Sequence, residues 1–107
     1  MLLELQKQIT ELIVENAKGA TALFETEINL ANAENELDKV EQTAFLAAEG
    51  TVADRQAVAR LKAGDVRLQR DIRKAEHNRV KVKISQISTA LMALGTQVKL
   101  MQAEMKL

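Results

Sequence analysis

The sequence predicts an all-α protein, an elongated helical hairpin or set of kinked helices that oligomerises by a coiled coil through its C-terminal helix. Three observations carry this. Apolar residues recur at three- and four-residue spacing along most of the chain, the period of one helical face. Proline, tyrosine, tryptophan and cysteine are absent and Phe24 and Phe45 are the only aromatics, so a core must be built from Leu, Ile, Val, Met and Ala, as in coiled coils. One punctuated stretch, Ala48-Glu49-Gly50-Thr51-Val52-Ala53-Asp54-Arg55, carries stop and start signals together: Gly50 can close a helix in the left-handed region, Thr51 can cap the next, and Asp54 can complete a capping box.

The 107 residues make room for one domain. Leu2, Leu5, Ile9, Leu12 and Ile13 open an amphipathic helix. Asn16-Ala17-Lys18-Gly19-Ala20-Thr21 marks a kink or short break, since glycine costs about 1 kcal/mol relative to alanine inside a helix and Thr21 could cap a new segment. Phe24, Ile28 and Ala31 continue a stripe, and Leu30, Ala33, Leu37, Val40, Ala44 and Ala47 form a heptad-like run. The first helix or kinked pair is thus expected over 2–49, the turn at 50–51 and one long helix over 52–106. On that helix Val58, Leu61, Leu68, Ile72 and Ala75 read as one stripe, followed by Val80, Ile84, Ile87, Leu91, Leu94, Val98, Met101 and Met105. The two registers do not join between Ala75 and Val80, which implies a stutter. Residues Ile84, Ile87, Leu91, Leu94, Val98, Met101 and Met105 are the expected homo-oligomer interface, because two isolated helices leave half of each apolar surface wet.

Charge divides at the same junction. Residues 1–50 carry ten acids against Lys7, Lys18 and Lys39, while 51–107 carry twelve bases against five acids, so the halves differ in sign although the formal net charge is zero. The basic tract Arg55, Arg60, Lys62, Arg67, Arg70, Arg73, Lys74, Arg79, Lys81 and Lys83 can follow nucleic-acid phosphates without reading sequence. The favoured alternative is a solvated or intramolecularly paired tract, since an antiparallel hairpin would lay it beside the first helix and its ten acids, among them Glu25, Glu27, Glu34, Glu36, Asp38 and Glu41. The scarcity of aromatics argues against base stacking.

Little else points to chemistry. His77, between Arg73 and Lys81, reads as a surface or interface residue in a cationic neighbourhood that disfavours metal binding. The acids at 34, 36, 38 and 41 point around the helix instead of converging. No nucleophile–histidine arrangement, Walker or dinucleotide motif occurs, so neither an enzyme nor a cofactor is expected. No stretch approaches a membrane span, and the N-terminal residues lack a signal-peptide pattern, so a soluble cytoplasmic protein is expected.

The acidic helix ending in Ala44-Phe45-Leu46-Ala47-Ala48-Glu49-Gly50, the restart at Thr51-Val52-Ala53-Asp54-Arg55, the basic helix and the closing stretch from Ser88 to Met105 resemble small bacteriophage helical proteins of the UvsY-like recombination-mediator type. The resemblance covers roughly Phe24 to Leu107. It implies a homo-oligomer in the bacterial host cytoplasm that binds single-stranded DNA and helps load a recombinase while single-strand-binding protein is displaced. Carried over to this chain, Arg55, Arg60, Lys62, Arg67, Arg70, Arg73 and Lys74 would contact phosphates and Leu91, Leu94, Val98 and Met101 would make assembly contacts. The other expectation is a structural or adaptor protein with a protein partner and no nucleic-acid activity.

Overall fold

The computed structural model describes residues 1–106 and contains three helices, α1 (Leu2–Ala47), α2 (Val52–Lys62) and α3 (Gly64–Lys106). The all-α expectation holds, and the junction at Gly50 behaves as its residues dictate. Gly50 has φ +110°, a region that favours glycine, and a Cβ placed there would lie 2.9 Å from Asp54 Oδ2. Thr51 caps α2 through a reciprocal pair: the Asp54 amide donates to Thr51 Oγ1 at 3.2 Å and the Thr51 amide donates to Asp54 Oδ2 at 3.2 Å. Two backbone donors at the helix start are thereby satisfied.

Of the two alternatives for 2–49 the single helix is found, whereas the single long helix expected over 52–106 is not. No break occurs at Gly19, where α1 runs through unbroken. Thr21 makes no cap; its hydroxyl donates to the Ala17 carbonyl at 3.5 Å, a bond back along the same helix. Glycine serves close packing here, since a Cβ on Gly19 would meet Ile84 Cγ1 at 3.0 Å. Conversely, the stretch 52–106 is two helices instead of one. Ala63 sits between them at φ −89°, ψ 5°, with its side chain wholly buried. Its amide still donates to Ala59 O (3.0 Å) and its carbonyl accepts from the Arg67 amide (2.8 Å), while Arg67 Nη1 donates to the Arg60 carbonyl at 3.3 Å. The side chain takes up an acceptor at the end of α2, where helix carbonyls lack intrahelical partners.

The chain forms two compact units, one combining Met1–Leu23 with the chain from Arg79 onward, the other spanning Phe24–Asn78. In the second, Glu41 meets Arg67 and Thr26 meets His77, so numbering rises on α1 as it falls on α3 and the helices are antiparallel. Leu37 and Ala44 of α1, Ala59 of α2 and Ala63 are its buried residues. In the first unit Gly19 faces Ile84, and the half-buried Leu2, Leu5, Ile9 and Leu12 of α1 accompany Leu91, Leu94, Val98 and Met101 of α3, with Ile87 buried.

The inward positions of α3 correct the expected register. Val66, Arg70, Arg73, His77, Val80, Ile84, Ile87, Leu91, Leu94, Val98 and Met101 are half-buried or buried, at strictly alternating spacings of four and three. The helix therefore carries one uninterrupted heptad pattern with no stutter before Val80. Leu61 and Leu68, assigned to the inner stripe by hydrophobicity, are 83% and 57% exposed, and Ile72 also faces outward. Arginine and histidine can fill seam positions because their stems and rings are apolar bodies with polar tips.

This register makes paired predictions for urea unfolding. Leu37→Ala is expected to lower stability by about 2–5 kcal/mol, whereas Leu68→Ala stays within about 0.5 kcal/mol. Gly50→Ala is expected to lose on the order of 1–3 kcal/mol from forcing a side chain into the positive-φ region. Equal effects of Leu37→Ala and Leu68→Ala would contradict the register.

Candidate nucleic-acid interface

The ten bases expected to contact phosphate divide into two sets. Arg55, Arg67, Arg70 and Arg73 are half-buried, whereas Arg60, Lys62, Lys74, Arg79, Lys81 and Lys83 are exposed. Three of the first set follow from the heptad spacing of α3. Arg70 and Arg73 occupy seam positions of α3, and Arg67 flanks the seam next to Val66.

Each half-buried arginine has a local role. The Arg55 guanidinium carbon lies 5.8 Å from the centre of the Phe45 ring, within range of a cation–π contact, while its Nε is buried without a hydrogen-bond partner. Arg67 reaches across to α1 and pairs with Glu41 Oε1 at 2.8 Å. Arg70 Nε pairs with Asp71 Oδ1 at 2.8 Å, and Arg73 Nη1 pairs with Glu76 Oε2 at 3.2 Å, both within α3.

The two arms thus lie side by side without neutralising each other. Among the described residues three ion pairs form, and only Arg67–Glu41 joins α3 to α1. In the Phe24–Asn78 unit, Lys74 stands one heptad beyond Arg67 and Glu34 one heptad before Glu41, yet no ion pair closes between them. Arg60, Lys62, Lys74, Arg79, Lys81 and Lys83 all remain exposed without an ion pair among the described residues.

The remaining candidates fall into structural roles. His77 lies in the seam, its Nδ1 3.0 Å from Thr26 Oγ1, and is an interface residue between α1 and α3. The Thr89 and Thr96 hydroxyls donate to the carbonyls of Ser85 (3.0 Å) and Met92 (3.1 Å), one turn back on α3. Among the described residues no group of three His, Cys, Asp or Glu side chains converges to hold a metal. Of the expected assembly residues, Ile84, Ile87, Leu91, Leu94, Val98 and Met101 turn inward within the single chain, and Met105 is exposed. Hydrophobicity alone missed the inward arginines and His77; counting back from Val80 by three and four would have found them.

The Arg67–Glu41 pair is partly exposed, at 29% and 40% of the two side chains. A double-mutant cycle with Arg67→Ala and Glu41→Ala is expected to give a coupling of only about 0.5–1 kcal/mol, falling in high salt. No protein-family model, curated protein or solved structure matches this chain.

Proposed function

We propose that the chain is a non-enzymatic single-stranded-DNA-binding protein that acts as a homo-oligomer, a recombination mediator or accessory protein in the cytoplasm of a phage-infected bacterial host. The observation that carries the binding part is the set of six exposed bases, Arg60, Lys62, Lys74, Arg79, Lys81 and Lys83, that form no ion pair among the described residues even where α1 and α3 pack together. The mediator role, with a recombinase or single-strand-binding protein as partner, rests on the resemblance described above.

Binding in this reading is electrostatic. Exposed ammonium and guanidinium groups displace counterions from phosphates, giving affinity that falls with salt and does not depend on base sequence. Stacking contributes little, because Phe45 is half-buried under Arg55 and Phe24 is the one exposed ring. Each chain offers few phosphate contacts, so several chains joined through the C-terminal half of α3 gain affinity by holding the same strand. Arg67, Arg70 and Arg73 act as positioning residues for the helices in this scheme.

A second reading, a structural or adaptor protein with a protein partner, is favoured by the large apolar side chains left exposed, including Phe24, Ile28, Leu46 and Leu61. No helix is long and apolar enough to cross a membrane among the described residues, so these side chains fit a protein surface better than a bilayer core.

Fluorescence anisotropy with a labelled single-stranded oligonucleotide across a salt series separates the readings. Binding is expected to weaken steeply with salt. The Lys62→Glu/Lys74→Glu/Lys81→Glu variant should bind more weakly, with a log–log salt slope shallower by roughly 2, at ~0.7 per phosphate contact. No binding by the folded wild-type protein at low salt would remove the nucleic-acid reading and leave the adaptor.

A further inference from the structure

Both long helices carry a second line of positions at heptad spacing, on the side away from the seam. On α1, within the Phe24–Asn78 unit, the line is Phe24, Ile28 and Ala31, all exposed, with Phe24 at 62%. Glu25 borders it on one side and Glu27 and Glu34 on the other, all exposed and in no ion pair among the described residues. On α3, within the unit containing Arg79 onward, the line is Val82, Thr89, Ala93, Thr96 and Leu100, again exposed, with Leu100 at 62%. Its borders are basic: Arg79 and Lys83 on one side, Lys99 on the other. Between Glu76 and Glu104 this helix has no acid at all.

We infer that these two faces are the two halves of one self-assembly interface: the outer face of α1 around Phe24–Ala31 docks on the outer face of α3 around Val82–Leu100 of a second copy. The argument is complementarity of two kinds. Each face presents a narrow line at the three-four spacing, apolar at Phe24, Ile28 and Ala31 and small or apolar at Val82, Thr89, Ala93, Thr96 and Leu100, that lets side chains of two helices interleave. The flanking charges are opposite in sign, so acids of one copy meet bases of the other at the rim, where they set partner and orientation. Pairing like with like is disfavoured, because two α1 faces would oppose Glu25, Glu27 and Glu34 to themselves. The inner seam of α3 is taken up within the chain, which leaves the outer face for assembly. An interface built from two different patches gives each copy one donor and one acceptor face, so it can propagate into rings or longer arrays.

The inference supplies the assembly used by the proposed function, but its readout contains no nucleic acid, so each can fail separately. Two exposed-face variants test it by light scattering coupled to size exclusion: Phe24→Glu/Ile28→Glu, which spoils the α1 face, and Val82→Glu/Leu100→Glu, which spoils the α3 face. The wild type should have the mass of two or more chains. Each variant alone should be monomeric, with self-association weakened at least ~10-fold, and an equimolar mixture of the two should recover a two-chain species through the one intact pair of faces.

Circular dichroism establishes that the variants keep their helices. Should either lose them, the charge reversals Glu25→Lys/Glu27→Lys and Lys83→Glu/Lys99→Glu make the same comparison, each weakening assembly alone and restoring it when mixed. A monomeric wild type, a variant with wild-type mass, or a mixture that stays monomeric would each overturn the inference.

Discussion

Most of this structure follows from one constraint, the antiparallel seam between α1 and α3. Two helices alone can hide only a narrow strip of each other, and the burial reflects that: among the described residues α1 buries Leu37 and Ala44 and α3 buries Ile87, while Ala59 of α2 and Ala63 complete the buried set, three of the five being alanines. Alanine at these places lets backbones approach, and Gly19 does the same against Ile84. The strip is kept continuous on α3 by the strict alternation of four- and three-residue steps from Val66 to Met101. A helix with such spacing keeps one seam toward its partner along its length. Polar residues within it, Arg70, Arg73, His77 and Thr26, are accommodated by short local bonds to Asp71, Glu76 and one another.

The seam also decides what is left over for function. Had the acidic and basic arms paired fully, the basic tract would have been consumed in holding the chain together. Instead one ion pair joins α1 to α3, and the remaining exposed acids and bases stay on their own helices among the described residues. Exposed acids therefore remain on α1 and exposed bases on α3 among the described residues. The seam also leaves large apolar side chains on the outer faces of both helices, Phe24 and Ile28 on α1 and Val82 and Leu100 on α3.

Local chemistry was the most legible part of the sequence. Gly50, Thr51 and Asp54 lie within five residues and act on each other directly, so their roles can be read without knowing what packs nearby. Gly19 was illegible for the opposite reason: whether a glycine breaks a helix or admits a neighbour depends on Ile84, far away in sequence. The break at Ala63 is a change of backbone torsion at one buried alanine, φ −89° and ψ 5°, with no proline to announce it. The seam of α3 was legible from Val80 onward, where its positions are apolar. Upstream, Leu68 and Ile72 drew the eye to the wrong face, because hydrophobicity counts a leucine and discounts an arginine stem. Of the candidate interface, the residue types were legible, but which bases face outward was fixed by that seam.

Because everything argued for the exposed bases and outer faces depends on the register of α3 against α1, the most direct test is a cysteine cross-link. The chain has no native cysteine to compete. Thr26→Cys/His77→Cys joins two positions whose side chains touch in the seam, and Thr26→Cys/Ala75→Cys moves the second thiol to the outward face. Under mild oxidation at high dilution, the first variant is expected to form an intramolecular disulfide while the second stays reduced. Cross-linking of the second in preference to the first would place the other face of α3 inward and contradict the account.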